Sequence, residues 1–258
     1  MAVTIKAPHE IELMRESNRR LAVVHDEIGK LIRPGVSTYE LDRKANELIR
    51  SLDGTPNFLH YNGFPGTICA SVNEVVVHGI PSKQTILKDG DIVGIDMGLI
   101  YKGYHSDAAR TYAVGECSEE DRQLIAVTKQ SFFEGMKFAK AGCHLFDISF
   151  AIQKYAESFG YGVIRDMVGH GIGREMHEDP EVPNYKPFGR GKGLLLRPGM
   201  TLAVEPMISA GTWRIAVLDD GWTAVTRDGS KCAHYENTIL ITEGEPEILT
   251  LYRDEKEV

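Results

Sequence analysis

Asp91-Ile92-Val93-Gly94-Ile95-Asp96-Met97-Gly98-Leu99-Ile100-Tyr101-Lys102-Gly103-Tyr104-His105-Ser106-Asp107-Ala108-Ala109-Arg110-Thr111 is two β-rich apolar arms about a Lys102-Gly103 dipeptide, the pattern of a β-hairpin with a short turn. Asp96 lies in the first arm and Asp107 in the second. A turn at Tyr101-Lys102 sets the two acids directly opposite, and a turn at Lys102-Gly103 sets them diagonally. Either register leaves both on one face, about 5 to 8 Å apart. Like charges so placed on an apolar surface repel, and burial sharpens the repulsion, so the pair needs a shared proton or a cation. A metal site is the economical reading.

Working outward, Ile11, Met14, Leu21, Val24, Ile28 and Leu31 form one helical stripe, which predicts a helix from about Pro8 to Ile32, closed by Pro34-Gly35. Ser37-Thr38-Tyr39-Glu40 is a capping box ahead of Leu41, Ala45, Leu48 and Leu52, with Gly54 as the stop. The plan recurs after the hairpin. Ser118 caps a helix carrying Leu124, Ile125, Phe132 and Met136 that ends near Ala141-Gly142, and the next helix carries Ile148, Ile152, Tyr155 and Phe159. Those four lie 107 positions beyond Leu41, Ala45, Leu48 and Leu52, and Gly142 lies 107 beyond Gly35. Leu87–Met97 can be laid on Leu196–Pro206, which matches Asp96 with Glu205; His105–Ala108 lies on His234–Asn237, which matches Asp107 with Glu236. Val77-His78-Gly79-Ile80-Pro81 similarly resembles Met176-His177-Glu178-Asp179-Pro180. Each half thus supplies two acids and a histidine at equivalent places, the signature of a duplicated unit.

Two such helix-helix-strand units facing each other across a pseudo-twofold axis bring all four acids to the centre of a continuous antiparallel sheet with helices behind it. That is an α+β fold in a single domain over 1–258, with halves of about 8–115 and 116–250. Asp219-Asp220-Gly221 and Arg227-Asp228-Gly229 read as turns of a meander joining Trp213–Leu218, Trp222–Arg227 and Lys231–Thr242. Four inward carboxylates carry roughly −4, which two divalent ions neutralise and one cannot. Two-metal hydrolases hold their ions about 3.5 to 4 Å apart to polarise a carbonyl and acidify a water. Val168-Gly169-His170-Gly171-Ile172-Gly173 offers a neutral nitrogen ligand where the backbone can pass close to a site. The glycine run is no dinucleotide fingerprint, since no helix signal follows it. His9, His25, His60, His144 and Cys117 take the ordinary reading of satisfied or exposed side chains.

A chain of 258 residues with net charge −8 can bury a substantial core and offers nucleic acid no general grip. Cys69, Cys117, Cys143 and Cys232 lack paired spacing, so no disulfide framework or thiolate zinc site is signalled. No signal-peptide core and no membrane-length apolar run is present, and a reducing cytoplasm fits best.

Asn73-Glu74-Val75-Val76-Val77-His78-Gly79-Ile80-Pro81, Asp96-Met97-Gly98, Ser106-Asp107, Gly169-His170-Gly171-Ile172-Gly173, His177-Glu178-Asp179-Pro180, Glu205-Pro206 and Glu236-Asn237-Thr238 resemble, in order, the motifs of type I methionine aminopeptidases. The likeness covers nearly the whole chain. It implies the pita-bread metallopeptidase fold, a curved antiparallel sheet with helices on its outer face. It implies Asp96, Asp107, His170, Glu205 and Glu236 as ligands of two divalent ions (Co, Mn, Fe or Zn), with Asp107 and Glu236 bridging. The implied reaction removes the initiator methionine from a new chain whose second residue is small: a metal-activated hydroxide attacks the scissile carbonyl and Glu205 accepts a proton. By the same resemblance His177 hydrogen-bonds the carbonyl oxygen, His78 contacts the substrate amide, and Tyr61, Phe64, Cys69, Met176 and Trp222 line the methionine pocket. Phe58, Phe64 and Met176 depart from the Cys, Tyr and Phe of better-known bacterial members. The implied partners are nascent polypeptide N-termini, with docking at the ribosome left open; neither a membrane nor a specific nucleic acid is implied, and a monomer is the simpler expectation. Prolidases and aminopeptidases P share the five ligands but carry a separate N-terminal domain, for which this chain is expected to have no room. A second rival is a binding protein that keeps the fold without catalysis; such relatives lose ligands, and here all five stand.

Overall fold

The hairpin forms with Lys102 and Gly103 as its loop, both at positive φ (49° and 79°). Tyr101 faces Tyr104, Asp96 faces Ala109 and Asp107 faces Gly98. This is the diagonal register of the two foreseen, and it leaves both acids on one face. The structure, a computed structural model, describes residues 3–251, so the outermost residues of the expected 1–258 unit lie outside the described ones.

In chain order the first half comprises helices α1 (Pro8–Gly29) and α2 (Thr38–Ser51) and strands β1 (Thr55–Pro56), β2 (Ile68–Val72), β3 (Val75–Val77), β4 (Ile92–Tyr101) and β5 (Tyr104–Ala113). The second comprises α3 (Glu119–Met136), α4 (Leu145–Glu157), β6 (Gly162–Val163), β7 (Gly169–Gly171), β8 (Glu178–Val182), β9 (Thr201–Val204) and β10 (Met207–Ser209). It continues with β11 (Ile215–Val217), β12 (Ala224–Thr226), β13 (Cys232–His234), β14 (Glu236–Leu240) and β15 (Glu247–Ile248). The predicted caps form. Ser37 Oγ accepts from the Glu40 N–H while Glu40 Oε2 accepts from the Ser37 N–H, and Ser118 Oγ accepts from the Asp121 N–H.

The main sheet has nine strands, in the order β1-β4-β5-β14-β9-β7-β8, with β2 also on β4 and β15 on β14. Its centre is the β5–β14 pair, where Glu236 faces Ala109. Around it the two halves share matching contacts. Gly35 N–H donates to Leu87 O as Gly142 N–H donates to Leu196 O, and the bridge Ser37–Ile86 has its counterpart in His144–Leu195. Ser71 opposite Gly94 matches His170 opposite Ala203. The duplication read from sequence is therefore a structural pseudo-twofold.

Val93, Ile95, Met97, Leu99 and Ala108 pack on Leu21, Val24 and Ile28 of α1 and Leu41, Ala45 and Ile49 of α2. Leu202, Val204, Tyr235 and Ile239 pack on Phe132, Phe133 and Met136 of α3 and Leu145, Ile148 and Ile152 of α4. Because strand side chains alternate, filling one face with these apolar groups turns Asp96, Asp107, Glu205 and Glu236 to the other. The helices are the outer layer, and the acids share the inner face.

Three boundaries differ from expectation. α1 stops at Gly29 and α3 at Met136, each short of the predicted end, and α4 ends at Glu157 so that Phe159 lies beyond it, exposed. The α4 end tightens into i→i−3 bonds, Phe159 N–H to Ala156 O and Gly160 N–H to Glu157 O, before Gly160 takes a left-handed φ of 82°. The meander is also incomplete. β11 pairs with β12, but the other neighbour of β12 is β3, whereas β13 joins β10 and β6 in a separate three-stranded sheet. The expected strand Lys231–Thr242 is broken at Tyr235, opposite Pro206. Tyr235 N–H donates to Pro206 O, yet Pro206 has no N–H to return, so the ladder lapses there. Register survives the break: Asn237 faces Val204 and His234 faces Met207, which sets Glu205 opposite Glu236. Among the described residues no helix is long and apolar enough to cross a membrane.

Candidate metal centre and apolar pocket

The four acids meet at the sheet centre. Asp107 and Glu236 are buried to 4% and 2% exposure, which leaves little water to screen them. Asp96 Oδ1, Asp107 Oδ1 and Glu236 Oε1 are buried without any hydrogen-bond partner. Desolvation, with the neighbouring charges of Asp96 and Glu205, pushes Asp107 well above the usual carboxylate range. Burial and the charges of Asp107 and Glu205 do the same to Glu236. Burial lifts Glu205 to about 8 and Asp96 to about 7, the latter with the Glu205 charge adding to the rise. Orphaned oxygens on crowded acids are what a pair of cations would satisfy. Asp107, His170 and Glu236 offer ligand atoms all within 4.8 Å of one another, and so do Glu205, His234 and Glu236. This oxygen-rich set with imidazole nitrogen suits divalent transition ions, so the residues fit the metals implied by sequence.

His170 is oriented for that role. Its Nδ1–H donates to the Gly171 carbonyl at 2.9 Å, which leaves the Nε2 lone pair facing Asp107 Oδ2 at 3.7 Å and Glu205 Oε1 at 3.9 Å. Burial, and then the nearby His177, hold its pKa down to about 3, so the ring is neutral. The glycines around it serve packing. A Cβ at Gly169 would strike the Ala203 carbonyl and one at Gly171 the Asp179 carbonyl, so strands β8 and β9 close on β7 only because both side chains are absent. The close approach is to neighbouring strands rather than to the acids.

His177 stands at the rim, exposed, with its ring 4.3 Å from that of His170. Tyr61 Oη hydrogen-bonds its Nδ1 at 2.9 Å. His78 follows β3 at a left-handed φ of 60°, half-buried, its ring 6.3 Å from Trp222. Burial lowers the pKa of both histidines.

A cavity of about 330 Å³ opens over the acids, and every site residue named from sequence lines it. Phe58, Phe64, Cys69 and Met176 form its buried apolar wall, with Tyr61 and Trp222 packed against them. Phe64 and Trp222 meet edge to face at 5.2 Å. The three departures, Phe58, Phe64 and Met176, are thus all in this wall. Asp166, Met167 and Val168 also line it and went unnoticed, since nothing in their spacing marks them. His234, grouped with Glu205 and Glu236 at the acids, was missed too, although it sits two residues before Glu236 as His105 sits before Asp107. His9, His25, His60 and His144 stay outside the cavity; His25 instead bonds the Ala108 carbonyl at 2.8 Å.

Comparison with known proteins agrees with this geometry. A model of metallopeptidase family M24 matches residues 12–243. The chain belongs to this family. As an M24 metallopeptidase it is 53% identical over 249 residues to the methionine aminopeptidase of Clostridium acetobutylicum, covering 96% of this chain and 99% of that one. The crystal structure of methionine aminopeptidase from Thermotoga maritima superposes with a TM-score of 0.94 at 49% identity, over 97% of this chain and all of the other. The Xaa-Pro dipeptidase of Bacillus anthracis gives a TM-score of 0.78 at 27% identity, over 97% of this chain but 63% of that one. The M24 pita-bread fold read from the sequence is the fold observed.

Proposed function

We propose that this M24 enzyme is a dinuclear aminopeptidase that removes N-terminal methionine from nascent polypeptides with a small second residue, acting in the cytoplasm. The observation that carries this reading is the set of orphaned acids beside a buried wall of Phe58, Phe64, Cys69 and Met176. An apolar, aromatic pocket of that size takes a thioether side chain, which is polarisable and packs well on rings.

Asp96, Asp107, His170, Glu205 and Glu236 would hold two divalent ions, with Asp107 and Glu236 at the centre of the set. Bound there, the ions would supply Lewis acidity to the scissile carbonyl and lower the pKa of water. Glu205, a carboxylate in the cavity wall, accepts the proton of the attacking water. His177 donates from Nε2–H to the carbonyl oxygen as negative charge develops. The Tyr61 hydroxyl, donating to Nδ1, keeps the ring proton on Nε2. His78 contacts the substrate amide near the leaving amine.

The test is turnover of Met-Ala-Ser against Ala-Pro-Ala by protein loaded in turn with Mn(II), Fe(II) and Co(II). Release of methionine is expected. Preference for the proline peptide would assign the chain to the prolidase branch, and peptide binding without turnover would make it a non-catalytic member.

A further inference from the structure

We propose that His234 is a second imidazole donor to the metal centre, binding through Nε2 the ion held between Glu205 and Glu236; the assignment rests on the metal-centre reading above. The ring is buried to 3% exposure and its Nε2 has no hydrogen-bond partner. That atom lies 3.5 Å from Glu205 Oε2 and 3.9 Å from Glu236 Oε2. Both separations exceed a hydrogen bond. They match the spacing of His170 Nε2, at 3.7 and 3.9 Å from Asp107 and Glu205. Donors placed about 2.0 to 2.2 Å from a common tetrahedral or octahedral ion are roughly 3 to 3.5 Å apart, so both rings need only a small contraction to share an ion with their acids. Each imidazole faces one oxygen of Glu205 and one shared acid. The pseudo-twofold copy supplies a control: His105, equivalent in sequence to His234, has Nδ1 2.7 Å from Asn57 Oδ1, whereas His234 Nε2 is left unpartnered beside Glu205 and Glu236.

The backbone holds His234 where it is. Its N–H donates to Thr111 Oγ1 at 2.8 Å, the Thr111 hydroxyl donates back to its carbonyl at 2.9 Å, and strand register fixes it opposite Met207. A polar side chain oriented so firmly toward two carboxylates, with nothing to bond, is costly unless a ligand completes it. A centre with two nitrogens favours Fe(II), Co(II) and Zn(II) over Mn(II) more strongly than one with a single nitrogen.

X-ray absorption on the Co(II)-loaded protein counts imidazoles directly. Two per protein are expected in the wild type and one in His234→Gln, with His170→Gln as the benchmark for losing a known type of donor. Equilibrium dialysis should show Co(II) affinity in His234→Gln falling on the order of 10- to 100-fold, with Mn(II) affinity moving less. Bound cobalt with one imidazole in the wild type, or a count that His234→Gln does not change, overturns this assignment and leaves the metal centre standing. Failure of the wild type to bind divalent ions overturns both. If His234→Gln does not fold, the wild-type count still decides.

Discussion

Stripped of divalent ions, the chain should lose stability as pH rises from 6.5 to 8. A carboxyl with a raised folded pKa binds its proton more tightly in the native than in the unfolded state, so its stabilising contribution is full below the unfolded pKa and is lost as pH climbs through the folded one. Glu205, lifted by burial from 4.5 to about 8, is such a group, and Asp107 and Glu236 shift the same way. Asp96, lifted to about 7, shifts the same way and adds to the fall in the lower part of that window. Opposing them, His25, His170 and His234 are held by burial at about 3, 3 and 4 against 6.5 unfolded, and burial lowers His78, His105 and His177 too. These rings raise stability until about pH 7.5, each by no more than roughly 0.4 kcal/mol above pH 6.5, less in all than the four acids remove. Glu10 and Glu16, lowered to about 2 by hydrogen bonds chiefly from Ala7 N–H and Arg19, have contributed fully by pH 4.5. Each extra proton on the native state costs about 1.4 kcal/mol per pH unit, so Glu205 alone removes about 2 kcal/mol across the window. For a chain of this size that lowers Tm by roughly 4 to 8 °C, with Asp107 and Glu236 adding to the fall. Calorimetry in chelator at pH 6.5, 7.0, 7.5 and 8.0 measures it. Saturating Mn(II) or Co(II) should flatten the trend, because the acids are then ionised in the native state as well. A metal-free Tm that holds steady or climbs over this range would refute the crowding of acids on which the site rests.

Replacing Asp107 by Asn should abolish activity and retention of the metal pair while the chain stays folded, since the apolar sheet around it does not depend on that charge; circular dichroism and metal analysis check this, and wild-type turnover would disprove its bridging role. His177→Ala is expected to lower kcat by roughly two to four powers of ten with both metals kept, and metal loss would reassign it as a ligand. Tyr61→Phe removes the hydroxyl on His177 Nδ1. Its cost should be smaller than that of His177→Ala, falling on kcat rather than on metal content, as steady-state kinetics on the loaded enzyme will read. Gly171→Ala forces a methyl into the Asp179 carbonyl. Spreading β7 from β8 in this way should lower both Tm and metal affinity, whereas an unchanged melt would mean the strands part without strain.

The sequence reached the site because its chemistry is local and repeated. Period-two alternation placed Asp96 and Asp107 on one face before any contact was known, and the matched offsets carried that conclusion to Glu205 and Glu236. Helix caps at Ser37 and Ser118 were legible because a single oxygen three residues from an N–H suffices to make them. Helix ends were less so, since α4 stops where its last turn tightens rather than where apolar spacing lapses.

His234 marks the boundary between the two kinds of knowledge. Its alignment with His105 was visible, but nothing along the chain distinguishes the ring that Asn57 satisfies from the one left facing Glu205 and Glu236. By itself the sequence determined the duplicated α+β plan and the identity of the four central acids, because residue type and periodicity act over short stretches. Only the tertiary structure decided which hairpin register is used, that Pro206 splits the last long strand between two sheets, and which histidine nitrogens stay unpaired. Those outcomes depend on what lies across the strands, where Tyr235 meets Pro206 and His105 meets Asn57, partners that no local pattern along the chain announces.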